Sequence, residues 1–465
     1  MSFQHNDNTH AVNYAHTLLA GLNLPPLSEA TFPDIHPAIN NARSGVQGFL
    51  PGKNKIIPVA LADYADGALL ALKGIAGNQT LKNNLPESGA SLLGERMALF
   101  NTQTGQPVSA GGSCHLFKAL DGYLAINLAR DEDTDLLPAL TNGKVSAPVE
   151  KQMLENILKE FCIDELIPRG RDLGLAIAPV TLPDYNSFNN WVEVSHSTTS
   201  QRPSSSRPPL VIDLSSLWAG PLTGSLLASL GAEVIKVESS KRLDGARRNE
   251  DDPAGEREFY DLMNGGKKSF TCDFTTQKGR QQLLQLIECA DIVIEASRPR
   301  ALRQLGIHAE KLVAEKPGKV WLSLTAYGRG AATENIIGFG DDIGVAAGLS
   351  ALMEIIYGQP LFVGDAIADP LGGLHGALAA WSCWINGGGI IDLALYKVLG
   401  FALSQDPFLR DFNKSDFIRR TSDWTNEVNI SGGNLYPIRK ATKPAPLPGH
   451  HNEEVLRKLD ALKKS

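Results

Sequence analysis

The sequence predicts an α/β protein with a doubly wound, mostly parallel sheet and a second, smaller α+β domain. Three observations lead there. Apolar strand-like runs alternate with amphipathic helical runs from Leu210 to Gly328, with short connections throughout, the signature of a sheet built from crossover units. A Ser/Thr/Pro/Arg stretch, "SHSTTSQRPSSSRPP" at Ser195 to Pro209, cannot bury enough apolar surface to fold and separates the chain into two unequal halves. The half before it mixes helical patterns with isolated strand-like runs, which suits a smaller α+β unit. The boundaries are 1–194 for the first half, 195–209 for the linker, 210–400 for the sheet domain and 401–465 for a segment returning to it.

In chain order, the first half carries a helix near Asp66 to Ile75, a helix over Leu92 to Asn101, and a strand "GYLAINLA" after Asp121-Gly122. Helices follow over Val149 to Cys162 and Ile163 to Leu173. After the linker, Leu210 to Leu214 is a buried strand and Gly220-Pro221 a turn with Pro at the first helical position. Leu222 to Leu230 is a helix ended by Gly231, and "EVIKVE" is the next strand. "KKSFTCDF", "DIVIEAS" and "KVWLSLTAYG" are further strands, separated by helices over Gln277 to Ala290 and His308 to Glu315. The tail "PLPGHHNEEVLRKLDALKK" is a turn followed by a charged helix.

Composition narrows the function. With 465 residues, 43% hydrophobic and 20% charged, the chain is ordinary globular material of about three domains. A net charge of −7 gives no support to a nucleic-acid-binding surface, since phosphate backbones need clustered Lys and Arg over a large face, and any basic patch must be local. The five cysteines are widely spaced and never in CxxC, as expected of reduced thiols without a zinc site. The start lacks the order of a signal peptide, and no run reaches the ~18 apolar residues of a membrane span. A cytoplasmic protein without membrane contact is expected.

Two stretches read almost alike, "ALADYADGALLAL" from Ala60 and "AIADPLGGLHGAL" from Ala366. Each places an Asp, Asp63 or Asp369, ahead of a Gly-punctuated helix. Asp at the N-cap with Pro370 at N1 explains Asp369 as a backbone cap. Its place at the carboxyl edge of a doubly wound sheet, where ligands bind, points instead to a reacting group, with Gly372-Gly373 letting a ligand approach. A carboxylate there can attack an acyl carbon.

Cationic side chains gather after the strands: Lys241, Arg242, Arg247 and Arg248, then Lys267 and Lys268, then Arg298, Arg300 and Arg303. With the turn "LWAGPLTG" at a strand-to-helix junction, they suggest a pocket for a multiply phosphorylated nucleotide. A dinucleotide site competes, because Glu238 ends the second strand where a ribose-binding acid would sit. The glycine pattern departs from GxGxxG, which counts against an NAD(P)-dependent oxidoreductase.

The ordered set "LWAGPLTGSLLASLGAEVIKVES", "FYDLMNGGKKSFTCDF", "ADIVIEASRPRALRQLGI", "KVWLSLTAYGRG" and "IADPLGGLHGALAA", with the closing "PLPGHHNEEVLRKL", resembles the family III CoA-transferases, which include carnitine CoA-transferase and formyl-CoA transferase. The resemblance covers most of Pro209 to Leu399 and the tail. It implies a Rossmann-like domain and CoA transfer between carboxylic acids through Asp369, which would take the acyl group as a mixed anhydride and then carry CoA as a thioester. It implies that Leu217, Trp218 and Ala219 hold the CoA nucleotide and that Lys267 and Arg298 supply positive charge. "EASRPR" stands where relatives have "ENFRPG". Ser239 stands where relatives often have Arg, so Lys241 or Arg242 supplies that charge. The usual basic-TGxGQ turn is reduced to "NGGGIIDLAL". The resemblance implies CoA and acyl-CoA as substrates and a small carboxylic acid as the second partner, with no permanent cofactor or metal.

A racemase branch of the same fold needs a His beside its Asp. Asp341 occupies that position here, which disfavours a two-base acyl-CoA racemase. His375, further along the Asp369 helix, reads as a packing or surface residue. In the first half, "SAGGSCHLFKALDGYLAINLARDEDTDLLPAL" and "ELIPRGRDLGLAIAPV" resemble the family's smaller domain. About sixty residues before Asp63 cannot hold the nucleotide-binding sheet, since one βαβ unit takes roughly thirty. The second half is likewise too short for its own small domain. The expectation is two truncated protomers fused so that the first half's small domain covers Asp369, as a pseudo-dimeric monomer or a homodimer. Asp63 then reads as a vestigial helix cap, and Ser109 to Cys114 as a Gly-rich lid or a plain turn. A CoA-binding protein that has lost turnover is the alternative.

Overall fold

The computed structural model describes residues 9–28, 32–47, 55–146, 148–196, 207–248, 251–431 and 433–462. Most of the predicted linker, 197–206, lies outside them. Among the described residues, ten strands form two sheets. The small one is antiparallel, in the order β1 (Cys114–Lys118), β2 (Tyr123–Asn127), β3 (Ala176–Pro179). The large one contains β4 (Glu193–Ser195), β5 (Leu210–Asp213), β6 (Glu233–Ser239), β7 (Lys268–Cys272), β8 (Ile292–Glu295), β9 (Val320–Thr325) and β10 (Gly389–Ala394), in the order β4-β10-β9-β8-β5-β6-β7.

Every neighbouring pair of the large sheet is parallel except β4 with β10. The runs "LVID" and "IVIE" are buried from end to end, as parallel strands covered on both faces must be. Helices return the chain between them: Ala219–Ser229 joins β5 to β6, Gln277–Cys289 joins β7 to β8, and Ala368–Ile385 joins β9 to β10. Thr276 starts the second of these by accepting from the Gly279 N–H at 3.0 Å, a side-chain N-cap. A returning helix begins at the carboxyl edge of the strands. Trp218 and Asp369, which head two such helices, therefore share that edge. The strand order reverses between β5 and β8, and this switch point is where such sheets bind ligands.

The two halves are not independent bodies. One core runs from Leu18, Leu61 and Leu72 of the first half to Leu222, Leu371 and Leu378 of the second. The small sheet has its own core, built on Phe117, Leu124, Leu166 and Ile177.

Several elements differ from expectation. The Asp66 helix starts earlier, at Leu61, and the Val149 helix is confined to Lys151–Leu158. The stretch read as a turn, "NGGGIIDLAL", contains strand β10. Gly387, Gly388 and Gly389 have φ of 105°, 86° and 147°, a backbone that favours glycine, and they turn the chain into a strand whose apolar residues are buried. The tail helix, Asn452–Leu462, covers the edge strand. Asn452 accepts from the Thr271 N–H and donates to its carbonyl, both at 2.9 Å, satisfying groups that an open edge would leave exposed.

Candidate active site

The turn after β5 is braced from below by buried ion pairs. Asp213 ends the strand, and its carboxylate takes the Lys267 ammonium at 2.7 Å. Lys267 also donates to Pro221 O at 2.9 Å and Asn264 Oδ1 at 3.1 Å. All three of its protons are thus committed to the protein. This corrects the expectation that Lys267 meets a phosphate: it fixes the turn instead. Beside it, Lys236 pairs with Asp244 at 2.8 Å and donates to Ser215 O at 2.9 Å. Asp244 in turn accepts the Leu217 N–H at 3.0 Å, which holds Leu217 at a φ of 69°.

The bracing decides what the turn presents. Leu217 is 42% exposed, while Trp218 and Ala219 are buried beneath it. Lys241 and Arg242 are exposed just beyond β6. Glu238 is engaged by Arg247, with one bond of 2.8 Å, and accepts the Asp244 N–H at 2.9 Å. The acid that a dinucleotide ribose would need is therefore occupied. Arg298 stands at the switch point, at the mouth of a cavity of about 590 Å³ lined also by Arg300, by Arg171 and Gly174 of the first half, and by Asn335. Burial and its neighbours Arg300 and Arg130 push the Arg298 pKa down, so an anion there would be welcome.

Asp369 is the second residue of its helix. Ile367, not Asp369, occupies the cap position, without a side-chain bond, which corrects the capping reading. The carboxylate is half-buried and, among the described residues, has no hydrogen-bond partner. Burial raises its pKa to about 7; Arg96 opposes the rise, and Asp341, Asp342 and Asp365 add to it. Those three carboxylates are buried and each has partners. Asp341 accepts the Ala366 N–H at 2.8 Å. Asp342 accepts from Asn127 Nδ2 of the first half at 3.0 Å and from the Phe339 N–H at 2.9 Å. Asp365 takes Arg96 of the first half through two bonds, one of 2.7 Å. Burial holds Asp341 at about 6 and Asp342 at about 7.

The first half closes over this cluster. Gly105 N–H bonds Phe362 O at 3.1 Å, and Phe362 N–H bonds Gln106 O at 2.9 Å, so the root of the small domain pairs with the segment leading to Asp365. The loop Ser109 to Cys114 is tied at its neck by Ser109 N–H to Cys114 O, 2.9 Å. Ser109 also hydrogen-bonds Asp341. A Cβ added to Gly111 would lie 3.1 Å from the Arg96 guanidinium, which places the loop directly over the arginine.

Other expectations change. Gly372 and Gly373 face Leu395 and Leu222, so they serve close packing of the Ala368–Ile385 helix on its neighbours rather than ligand approach. His375 is fully buried. Its Nδ1 lies 2.7 Å from Leu371 O and its Nε2 2.8 Å from Tyr14 OH, and burial lowers its pKa to about 4. It packs the core, and the surface alternative falls away. Asp63 is the third residue of the Leu61–Ile75 helix, behind an Ala60 cap position; it caps nothing and is bonded by Asn40 Nδ2 at 2.6 Å. Sequence reasoning missed Arg96, Arg171 and Asp365. A lone Arg in "LLGERMALF" and a second Asp four residues before Asp369 were the available signals.

The fold is that of an α/β protein with a doubly wound, mostly parallel sheet, with a braced turn and an Asp369 carboxylate that is unbonded among the described residues on the carboxyl edge of that sheet. Comparison with known proteins makes this specific. Residues 209–429, just under half of the chain, match the family model of CoA-transferase family III. A probable fatty acyl-CoA transferase of Mycobacterium tuberculosis is 33% identical over 40% of this chain and 50% of its own length. The succinyl-CoA–D-citramalate CoA-transferase of Chloroflexus aurantiacus is 29% identical over 50% of this chain and 60% of its own. The chain thus spans about half the length of these curated relatives. A solved CAIB/BAIF family protein from Brucella suis aligns at 21% identity and a TM-score of 0.41, over 55% of this chain and 99% of its own. Among the described residues, no helix is long and apolar enough to cross a membrane.

Proposed function

We propose that this protein moves CoA from an acyl-CoA donor to a small carboxylic acid, with Asp369 as the covalent carrier. The observation that supports this is the state of Asp369: half-buried, unbonded among the described residues, its pKa raised to about 7 by burial, at the edge where the sheet binds ligands. A structural carboxylate would be satisfied by donors. A nucleophile needs its lone pairs free.

An Asp369 oxygen attacks the thioester carbonyl carbon, the C–S bond breaks, and CoA leaves as thiolate, forming an acyl-aspartyl anhydride. The thiolate attacks the Asp369 carbonyl carbon; the bond to the donor oxygen breaks and the donor leaves as a carboxylate. An aspartyl-CoA thioester remains. The acceptor carboxylate then runs both steps in reverse, restoring the Asp369 carboxylate and releasing a new acyl-CoA. The exposed Leu217 and the buried Trp218 and Ala219 shape the nucleotide side. Lys241, Arg242 and Arg298 supply positive charge for the CoA phosphates, joined across the cavity by Arg300 and Arg171, while Lys267 braces the turn. CoA is a substrate, and the cycle calls for no resident cofactor. The loop Ser109 to Cys114 acts as a lid that keeps water from the anhydride. The first half's small domain replaces a partner subunit at this site, so one chain completes it, and the setting is cytoplasmic. The relative from Chloroflexus aurantiacus is named for succinyl-CoA and D-citramalate; the acceptor here is accordingly a small organic acid.

The test is transfer of CoA from succinyl-CoA and other acyl-CoA donors to a panel of small acids. New acyl-CoA formation is expected. Tight CoA binding with no transfer for any pair would overturn the reading and leave a binding protein.

A further inference from the structure

The segment "VGDAIAD" bends sharply before it enters the Asp369 helix. Gly364 has a φ of 70° and Ala366 a φ of 42°, the second in the left-handed region that a residue with a Cβ adopts at a cost. The Asp369 N–H bonds Ala366 O at 2.7 Å, so the bend and the nucleophile share one hydrogen bond. Something must hold such a bend. Asp341 holds one side by accepting the Ala366 N–H at 2.8 Å. The helix that carries Asp341 packs so closely here that a Cβ on Gly340 would strike the Ala366 carbonyl.

The other side is held across the halves. Arg96, from the Ser91–Phe100 helix, grips Asp365 through Nε at 2.7 Å and through Nη2. Its guanidinium carbon lies 4.8 Å from the Trp218 ring centroid and 5.8 Å from that of Phe100, and Gly111 of the small-domain loop lies against it. One side chain thus joins the strained bend, the nucleotide-side turn and the covering loop. Planar, two-pronged and able to stack, Arg suits this place; Lys has only the charge.

We infer that Arg96 is a positioning residue for the transfer reaction: by clamping Asp365 and resting on Trp218 it fixes the bend that aims Asp369, a role the first half supplies to the second. This rests on the function proposed above. Its charge also favours the ionised form of Asp369, since Arg96 opposes the upward shift of that group.

The test uses the full chain and the transfer assay, with R96K, R96Q, D365N and D369N and with CoA affinity measured for each. R96Q is expected to lose roughly 100-fold in kcat, a misplacement effect, with CoA affinity within about threefold, and to move the acid limb of its pH–rate profile upward by roughly one unit. R96K should keep the limb near its original pH yet still lose rate, because it restores charge without the fork. A mere packing role would leave the limb in place. D365N should resemble R96Q in lost kcat but not in its acid limb, which should not move upward because Asp365 itself adds to the rise at Asp369; the double variant should be no worse in kcat than the worse single one. If R96Q does not fold, R96K and D365N decide: unaltered kcat in both overturns the inference. So does an R96Q enzyme with kcat within twofold of the parent while D369N is inactive. An active D369N would instead overturn the function itself.

Discussion

Asp369 and Asp63 sit in stretches that share the pattern A-x-A-D and a later Gly, yet their surroundings treat the carboxylate differently. Burial raises both to about 7. Asp63 is silenced by amides: Asn40 Nδ2 bonds it at 2.6 Å and Asp66 at 3.0 Å, Asn41 ties the backbone at Ala62 and Val59, and Tyr436 from the tail closes over Asn40 at 2.7 Å. At Asp369, the neighbouring carboxylates of Asp341, Asp342 and Asp365 all bond other groups, and Arg96 supplies the balancing charge. Among the described residues, no hydrogen bond claims the Asp369 carboxylate oxygens. Small-domain residues bond the neighbours of Asp369, Asn127 to Asp342 and Ser109 to Asp341, whereas Tyr436 of the tail bonds the Asn40 that holds Asp63. The difference teaches that similar local sequence leaves an Asp on a helix's first turn satisfied or unsatisfied according to what distant segments bring to it.

The largest effect expected from breaking this comparison is on rate. D369N should lower CoA transfer by at least about 10³-fold, as loss of a covalent carrier does, while D63N should stay within about twofold; equal losses in steady-state assays would dissolve the contrast. Next comes stability. N40D makes the Asp63 site resemble the Asp369 cluster without an arginine, burying a third carboxylate beside Asp63 and Asp66. It should cost roughly 3–5 kcal/mol in urea unfolding near neutral pH, and a loss below about 1 kcal/mol would mean that the amides are not what silences Asp63. The mildest test is pH. Asp369 must be ionised to attack, and its pKa is raised to about 7, so transfer should fall as pH drops through 7 and approach tenfold per unit below it. A rate flat from pH 7 to 5 would contradict the state assigned to Asp369.

Much of the sheet half was legible in the sequence because its strands are continuous apolar runs and its helices carry their own signals, as at Thr276 and Gly231. The switch-point arginine and the Asp369 edge followed from topology. What was not legible depended on packing between distant segments. Lys267 and Arg298 look alike as cations after strands; only the fold reveals that one faces Asp213 and the other a cavity. Arg96 lies 269 residues from Asp365, and no local pattern links them. Strand β10 was hidden because its glycines mark a tight bend but read as the body of a turn. Asp63 read as a cap, and Asp369 carried a cap as its competing reading, because Asp ahead of a helical run is common there; a shift of two or three residues placed both inside the first turn.

The most direct test of the contrast is to quench the protein during incubation with acyl-CoA, digest it, and map the adduct by mass spectrometry. Modification on the peptide containing Asp369, with none on the peptide containing Asp63, is the expected result. An adduct on Asp63, or turnover without any adduct on Asp369, would contradict it.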